Sequence, residues 1–301
     1  MLEDSFGRQF HYLRLSVTEA CNFRCQYCLP DGYQGPSSEH FLSLSEINTL
    51  LSAFSGLGTS KVRLTGGEPT LRRDFLDILS ATANTPGIKR VAMTTHGGRM
   101  AEHAAAWKQA GLHQVNVSID SLDPRQFAAI TGQDKLKQVL AGLDAAVEAG
   151  LDVKVNSVLL NDFSDARLHR FLDWLKTMPV TLRFIELMET GDTTNFFKAQ
   201  HQAGTPLKQT LIEAGWQPMV RRKDAGPAQE FYHPDYAGKI GLIMPYSKDF
   251  CKSCNRLRVA SNGKLHLCLF SDHGIDMRHL LADGDVVGLQ QFLVECLGEK
   301  H

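Results

Sequence analysis

Tyr12-Leu13-Arg14-Leu15-Ser16-Val17 alternates apolar and polar side chains, and just beyond it the chain reads Cys21-Asn22-Phe23-Arg24-Cys25-Gln26-Tyr27-Cys28. Alternation with period two predicts a strand, so three thiols follow directly behind it on one tight loop. The same kind of segment recurs outward along the chain. Residues 61–65, 90–95, 114–119, 152–159 and 180–186 are short, apolar-rich and bounded by turns. Helical patterns lie between them. Ile47, Leu50, Leu51 and Phe54 fall at i, i+3, i+4 and i+7 behind Ser43 and Glu46, a capping-box pair. Asp123-Pro124 reads as an N-cap with a first-turn proline, and Leu168, Phe171, Leu172 and Leu175 mark another amphipathic helix. Alternating strands and helices predict an α/β fold with a parallel sheet and the helices outside it. Six such units predict an incomplete (βα)6 barrel over residues 1–215. The rhythm breaks near Gly215. Segments 216–222, 230–233, 238–244, 256–260 and 264–269 read as strands without intervening helices, and 285–297 reads as a closing helix. Residues 216–301 are therefore expected to form a C-terminal mixed α+β subdomain.

The chain has 301 residues, 43% hydrophobic and 22% charged, with a formal net charge of −1. That is ordinary globular composition, without the global basic field that nucleic acid would call for. The opening MLEDSFGRQF has early acids and no apolar h-region, and no apolar stretch is long enough to span a bilayer. The expected location is the cytoplasm, where disulfides are disfavoured. Six of the seven cysteines fall into two groups of three, which points to metal. Cys296 reads as a small core residue.

Cys21-x3-Cys25-x2-Cys28 can hold three irons of a [4Fe–4S] cube and leave the fourth open. The rival is structural zinc, which wants four closed ligands, and no histidine lies near this loop. Cys251-x2-Cys254-x13-Cys268 is again three cysteines. Spacing alone leaves two readings here, a second cluster or a zinc ribbon completed by His266 or His273.

Strand parity gives an independent argument. Leu13, Leu15, Val17, Val62, Leu64, Val115, Val117, Ile119, Val153, Val155, Leu182 and Phe184 share the parity that belongs against helices. Arg14, Arg63, Asn116, Ser118, Asp120, Lys154, Asn156 and Arg183 then point inward. Buried cations are costly unless paired. Asp120 and Glu186 are expected to pair with some of them, but Arg256 and Arg258 add to the excess. The lumen is therefore expected to bind a polyanion such as a triphosphate.

The quoted cysteine loop resembles the signature of radical S-adenosylmethionine (SAM) enzymes, in which the open iron chelates SAM. Thr65-Gly66-Gly67-Glu68-Pro69, Asn116-Val117-Ser118-Ile119-Asp120, and Phe250 to Arg258 followed by Gly263 to Leu269 extend the likeness from about residue 8 to 281. Together they resemble the GTP 3′,8-cyclase family of molybdopterin synthesis. The resemblance implies two [4Fe–4S] clusters, on Cys21, Cys25 and Cys28 and on Cys251, Cys254 and Cys268. It implies SAM contacts from Tyr27, Gly67, Glu68, Ser118 and Met188, with Glu68 accepting from an ammonium. It implies GTP contacts from Arg14, Arg63, Thr94, Lys154, Arg256 and Arg258, with the last two near the reacting guanine or near the phosphates. Arg183 joins this set by parity. The expected activity is a lyase reaction that closes a C3′–C8 bond in GTP by a 5′-deoxyadenosyl radical. The expected partners are GTP, an external electron donor and a cyclic pyranopterin monophosphate synthase downstream, with the chain a monomer or homodimer.

Two departures from the family pattern stand out. His96 replaces a usual Asn near the SAM site, which implies an altered SAM affinity. Family members end in a Gly-Gly tail that reaches into the active site and supports productive chemistry, whereas this chain reads Gly298-Glu299-Lys300-His301. Two other functions share the cysteine groups. A peptide-modifying radical SAM enzyme would need an open groove, which a cationic lumen argues against. An inert iron–sulfur or zinc protein would need neither Tyr27 nor inward Arg14 and Arg63. About eight irons per chain would separate it from two-cluster chemistry.

Overall fold

The structure is a computed structural model that describes residues 2–36, 40–189, 193–220, 225–248, 250–252, 254–270 and 273–298. Arg221 and Arg222 of the expected 216–222 strand, Ser253 of the second cysteine motif, and the terminal Glu299-Lys300-His301 lie outside these residues.

Six parallel strands and the helices between them build the core. They comprise β1 (Tyr12–Thr18), α1 (Leu44–Gly56), β2 (Lys61–Gly66), α2 (Phe75–Asn84), β3 (Arg90–Thr95) and α3 (Met100–Gln109). They continue with β4 (Gln114–Ser118), α4 (Pro124–Thr131), α5 (Leu136–Glu148), β5 (Asp152–Leu159), α6 (Asp165–Leu175) and β6 (Thr181–Glu186). The local signals act as the sequence suggests. Ser43 and Glu46 exchange both capping-box hydrogen bonds at the start of α1. The Asp123 carboxylate accepts from the amides of Arg125 and Gln126 at the start of α4.

The rest of the chain adds α7 (Thr194–Gln200), α8 (Thr205–Glu213), β7 (Gln217–Pro218), β8 (Gln229–Tyr232) and β9 (Lys239–Ile243). It ends with β10 (Arg256–Val259), β11 (Lys264–His266), β12 (Ile275–Asp276), α9 (Arg278–Ala282) and α10 (Val286–Gly298). These strands join the sheet already formed. Its order is β12-β11-β10-β1-β2-β3-β4-β5-β6-β9-β8-β7. β10 pairs parallel with β1, Tyr12 opposite Arg256, and β9 pairs parallel with β6. β11, β12, β8 and β7 are antiparallel additions at the two edges. The sheet is curved but open rather than a closed barrel. α10 lies against α1, with Gln290 Nε2 donating to the Ala53 carbonyl, and Cys296 is buried in its core face.

Parity places the side chains as expected. Leu13, Leu15, Val62, Leu64, Val91, Val115, Val117, Val155, Leu182 and Phe184 are buried in one apolar core. Parallel strands with helices on one face leave the other face to line a lumen.

Candidate functional site

The cysteine loop is held by its backbone. Glu68 N donates to the Ala20 carbonyl at 2.8 Å, and Gly67 N to that of Thr18 at 3.0 Å. A Cβ on Gly67 would sit 2.4 Å from the carbonyl oxygens of Glu19 and Ala20, and one on Gly66 2.1 Å from that of Thr18. The glycines therefore admit the main chain that leads into the loop, not a ligand. Within the loop the Cys25 carbonyl accepts from Cys28 N and Leu29 N. Arg24 N and Gln26 N donate to the carbonyls of Thr131 and Ile130 at the end of α4.

Glu68 differs from expectation. It is fully buried, and its carboxylate accepts from Thr70 Oγ1 at 2.6 Å, Thr95 Oγ1 at 2.8 Å, His96 N at 2.8 Å and Thr70 N at 3.2 Å. A carboxylate has about four lone-pair sites, so this one is saturated and cannot also receive an ammonium. It ties β2 to the end of β3. His96 completes the knot. Its ring stacks on Phe23 at 3.9 Å and 5°. Its Nδ1 accepts from Gly98 N and its Nε2 lies 2.7 Å from Asn22 Oδ1, which fixes the Nε2–H tautomer. Burial pushes its pKa down, so the ring is neutral at neutral pH.

Tyr27, the aromatic residue before the last cysteine of the loop, donates to Asp120 Oδ2 at 2.8 Å. Asp120 Oδ1 accepts from Val158 N, and the Asp120 carbonyl accepts from Arg167. Burial raises the pKa of Asp120 and of Tyr27. It also raises the thiols of Cys21, Cys25 and Cys28, with Asp120 adding to the effect on Cys25. Burial thus favours the neutral thiols, and a metal bound by the three sulfurs would have to supply the charge that stabilises the thiolates.

One cavity of about 1280 Å³ runs through the lumen. Tyr27, Cys28 and Met188 line it, as do Cys251, Cys254 and Cys268. Arg14, Arg63, Thr94, Lys154, Arg183, Arg256 and Arg258 line it as well. Gly67, Glu68 and Ser118 are not among its lining residues, and Ser118 is half-buried at the end of β4.

The charge pairing differs from expectation too. Asp120 is occupied as described, and Glu186 accepts from Gly204 N at 2.5 Å. Lys154 pairs instead with Glu230 at 3.0 Å, and Arg90 with Asp152 at 2.5 Å. Both carboxylates line the cavity, Asp152 from the start of β5 and Glu230 from β8. Arg63 is anchored by Tyr12 through Nε at 2.5 Å, and by Met93 O and Thr94 Oγ1 through Nη1. Among the described residues, Arg183, 7% exposed, has Nε and Nη2 buried without a partner, and Arg256 Nε and Asn156 Oδ1 are likewise unpartnered. Burial pulls Arg14 down to about 9 and Arg183 and Arg258 to about 10. Neighbouring arginines add to each shift: Arg258 on Arg14, Arg63 on Arg183 and Arg256 on Arg258. The orphaned donors of Arg183 and Arg256 cost about 1–3 kcal/mol each, more when charged. A polyanionic ligand would satisfy them.

Sequence parity missed Tyr12 and Lys61, although each shares the inward register of Arg14 and Arg63 two residues on. It missed Glu230 because no parity was available for the C-terminal strands.

A parallel sheet with a three-cysteine loop behind its first strand, facing a lumen, defines a radical SAM protein. The Radical SAM superfamily model matches residues 15–175, and that of Molybdenum Cofactor Synthesis C matches 180–301. The fold is shared with Streptococcus suis SuiB bound to S-adenosylmethionine, at TM-score 0.66 and 12% identity over 95% of this chain and 68% of that one. It is also shared with native anSMEcpe with bound AdoMet, at TM-score 0.58 and 13% identity over 96% and 85%. The superfamily brings SAM and an iron–sulfur cluster with it. Among curated proteins, the GTP 3′,8-cyclase of Shewanella denitrificans is 60% identical over 94% of this chain and 84% of its own length. That of Aeromonas hydrophila is 57% identical over 99% and 90%. The chain belongs to the GTP 3′,8-cyclase family.

Proposed function

We propose that the chain catalyses the first step of molybdenum-cofactor synthesis, the conversion of GTP to 3′,8-cyclo-7,8-dihydro-GTP. The hydrogen atom of C3′ passes to a 5′-deoxyadenosyl radical to give 5′-deoxyadenosine, C3′ bonds to C8 of guanine, and one electron from the external donor and one proton complete the dihydro product at the guanine nitrogen. One observation carries the reading: a lumen of cations with unpartnered nitrogens on Arg183 and Arg256, lined also by cysteines of both groups.

When bound, a cluster on Cys21, Cys25 and Cys28 would supply the electron that releases a 5′-deoxyadenosyl radical from SAM, and a second on Cys251, Cys254 and Cys268 an open iron for guanine. The chain's own residues place the reactants. Arg14, Arg63, Lys154 and Arg183 present charge-assisted donors to the triphosphate. Arg63 Nη1 donates to Thr94 Oγ1, so the two act as one unit. Arg256 and Arg258 project from β10, directly after Cys254, toward the guanine or the nearer phosphates. Tyr27, fixed by Asp120, offers its ring to the adenine, and Met188 adds a second contact to SAM from the cavity wall, while Gly67 holds the cysteine loop in place and Ser118 stands at the end of β4 outside the cavity lining. Glu68 and His96 act behind them by holding the loops. Substrates that fill the lumen would displace its water and so protect radical intermediates.

SuiB bound to precursor peptide SuiA shares this fold at 13% identity. The dense positive charge here favours a polyanion over a peptide. An external electron donor, a cyclic pyranopterin monophosphate synthase downstream and a cytoplasmic location complete the proposal.

The test is anaerobic turnover of reconstituted protein with SAM, a strong reductant and GTP deuterated at C3′. Deuterium in the 5′-deoxyadenosine is the expected result. Unlabelled 5′-deoxyadenosine would mean that SAM is cleaved but C3′ is not the target.

A further inference from the structure

Tyr12 sits among the lumen's cations. It is 5% exposed and lines the cavity. Its hydroxyl accepts from Arg63 Nε at 2.5 Å, and the Lys61 ammonium lies 4.8 Å from the centre of its ring. Arg14 is two residues along on the same strand face. Arg183 on β6 and Arg258 on β10 also feel its charge. Two carboxylates of the lumen are committed elsewhere, Glu230 to Lys154 and Asp152 to Arg90. Burial alone would raise the phenol's pKa. Arg63, Arg14 and Lys61 outweigh it and bring Tyr12 down to about 7.

Resting on the reading of the lumen as the GTP site, we propose that Tyr12 is its exchangeable counter-charge. Its phenolate neutralises part of the cation cluster while the lumen is empty. When the triphosphate enters, the oxygen takes up a proton from solvent. One O–H bond forms at Tyr12, one proton leaves the solvent and no electron moves. The triphosphate supplies the negative charge that the phenolate had supplied, which returns the phenol toward its ordinary pKa. Tyr12 is thus a positioning residue that also orients Arg63 through its Nε. The sign follows from linkage. Binding raises the pKa of Tyr12, so affinity is full below its free-lumen value. Affinity falls as pH rises above that value, by up to about tenfold per pH unit for one proton.

The test is anaerobic calorimetric titration of the holoenzyme with GTP, in buffers of different ionisation heat, from neutral pH upward. Wild type is expected to take up close to one proton per GTP above neutrality, and its affinity to fall with pH as stated. Tyr12→Phe keeps the ring and is expected to lose both the uptake and the slope. A purely structural role would instead weaken binding by one factor at every pH. Buffer-independent heats in wild type, or equal uptake in Tyr12→Phe, would overturn the proposal. No binding of GTP by wild type would overturn the substrate reading, and the proposal with it.

Discussion

Glu68 and Arg183 are both buried charges, and the structure treats them in opposite ways. The carboxylate is saturated by donors from three neighbouring residues, whereas the guanidinium keeps two nitrogens without a partner. A saturated charge holds loops, and an orphaned one awaits a ligand. Arg183→Leu is therefore expected to leave the ligand-free protein as stable or to stabilise it by about 1–3 kcal/mol. The same change should weaken GTP binding by at least about tenfold, since it removes a charge-assisted contact. Thermal denaturation and calorimetry read the two effects separately, and parallel losses in both would contradict the assignment. Arg183 was legible from parity alone. Glu68 was not, because its saturation depends on Thr95 and His96, which only the fold brings beside it.

At the scale of elements, the turn after β2 and the loop after β1 act as one piece. Gly67 lies under the carbonyls of Glu19 and Ala20, so any side chain there must push the two apart. Gly67→Ala is expected to lose the iron held by Cys21, Cys25 and Cys28, roughly half of the total under the proposed two-cluster content, while far-ultraviolet circular dichroism stays unchanged. Iron and sulfide analysis checks it, and full iron content would show that the cysteine loop tolerates the shift. The six parallel strands and the helices between them could be read from sequence because helix caps and strand alternation are local signals. Where the C-terminal strands dock could not be read. Alternation identifies a strand but not its neighbour, and the pairings of β10 with β1 and β9 with β6 are non-local. The Lys154–Glu230 pair was hidden for the same reason.

On the scale of the whole molecule, residues after 215 close both flanks of the sheet. Without them β1 and β6 would each present an unpaired edge, and α1 would lose the cover of Leu289, Leu293 and Leu297. A fragment of residues 1–215 is expected to aggregate, as judged by soluble yield and gel filtration. A soluble, monomeric fragment with native-like circular dichroism would show that the flanking strands are dispensable for folding.

The β1–β10 pairing also sets a clock. β1 is among the first strands to leave the ribosome, and its outer partner follows about 240 residues later, a wait of roughly 12–50 s at ordinary synthesis rates. The first cysteine loop is thus complete, and open to iron delivery, long before the wall that carries Arg256 and Arg258 exists. For the proposed pair of clusters, synthesis order favours loading the one on the first cysteine loop before the β10 wall is added.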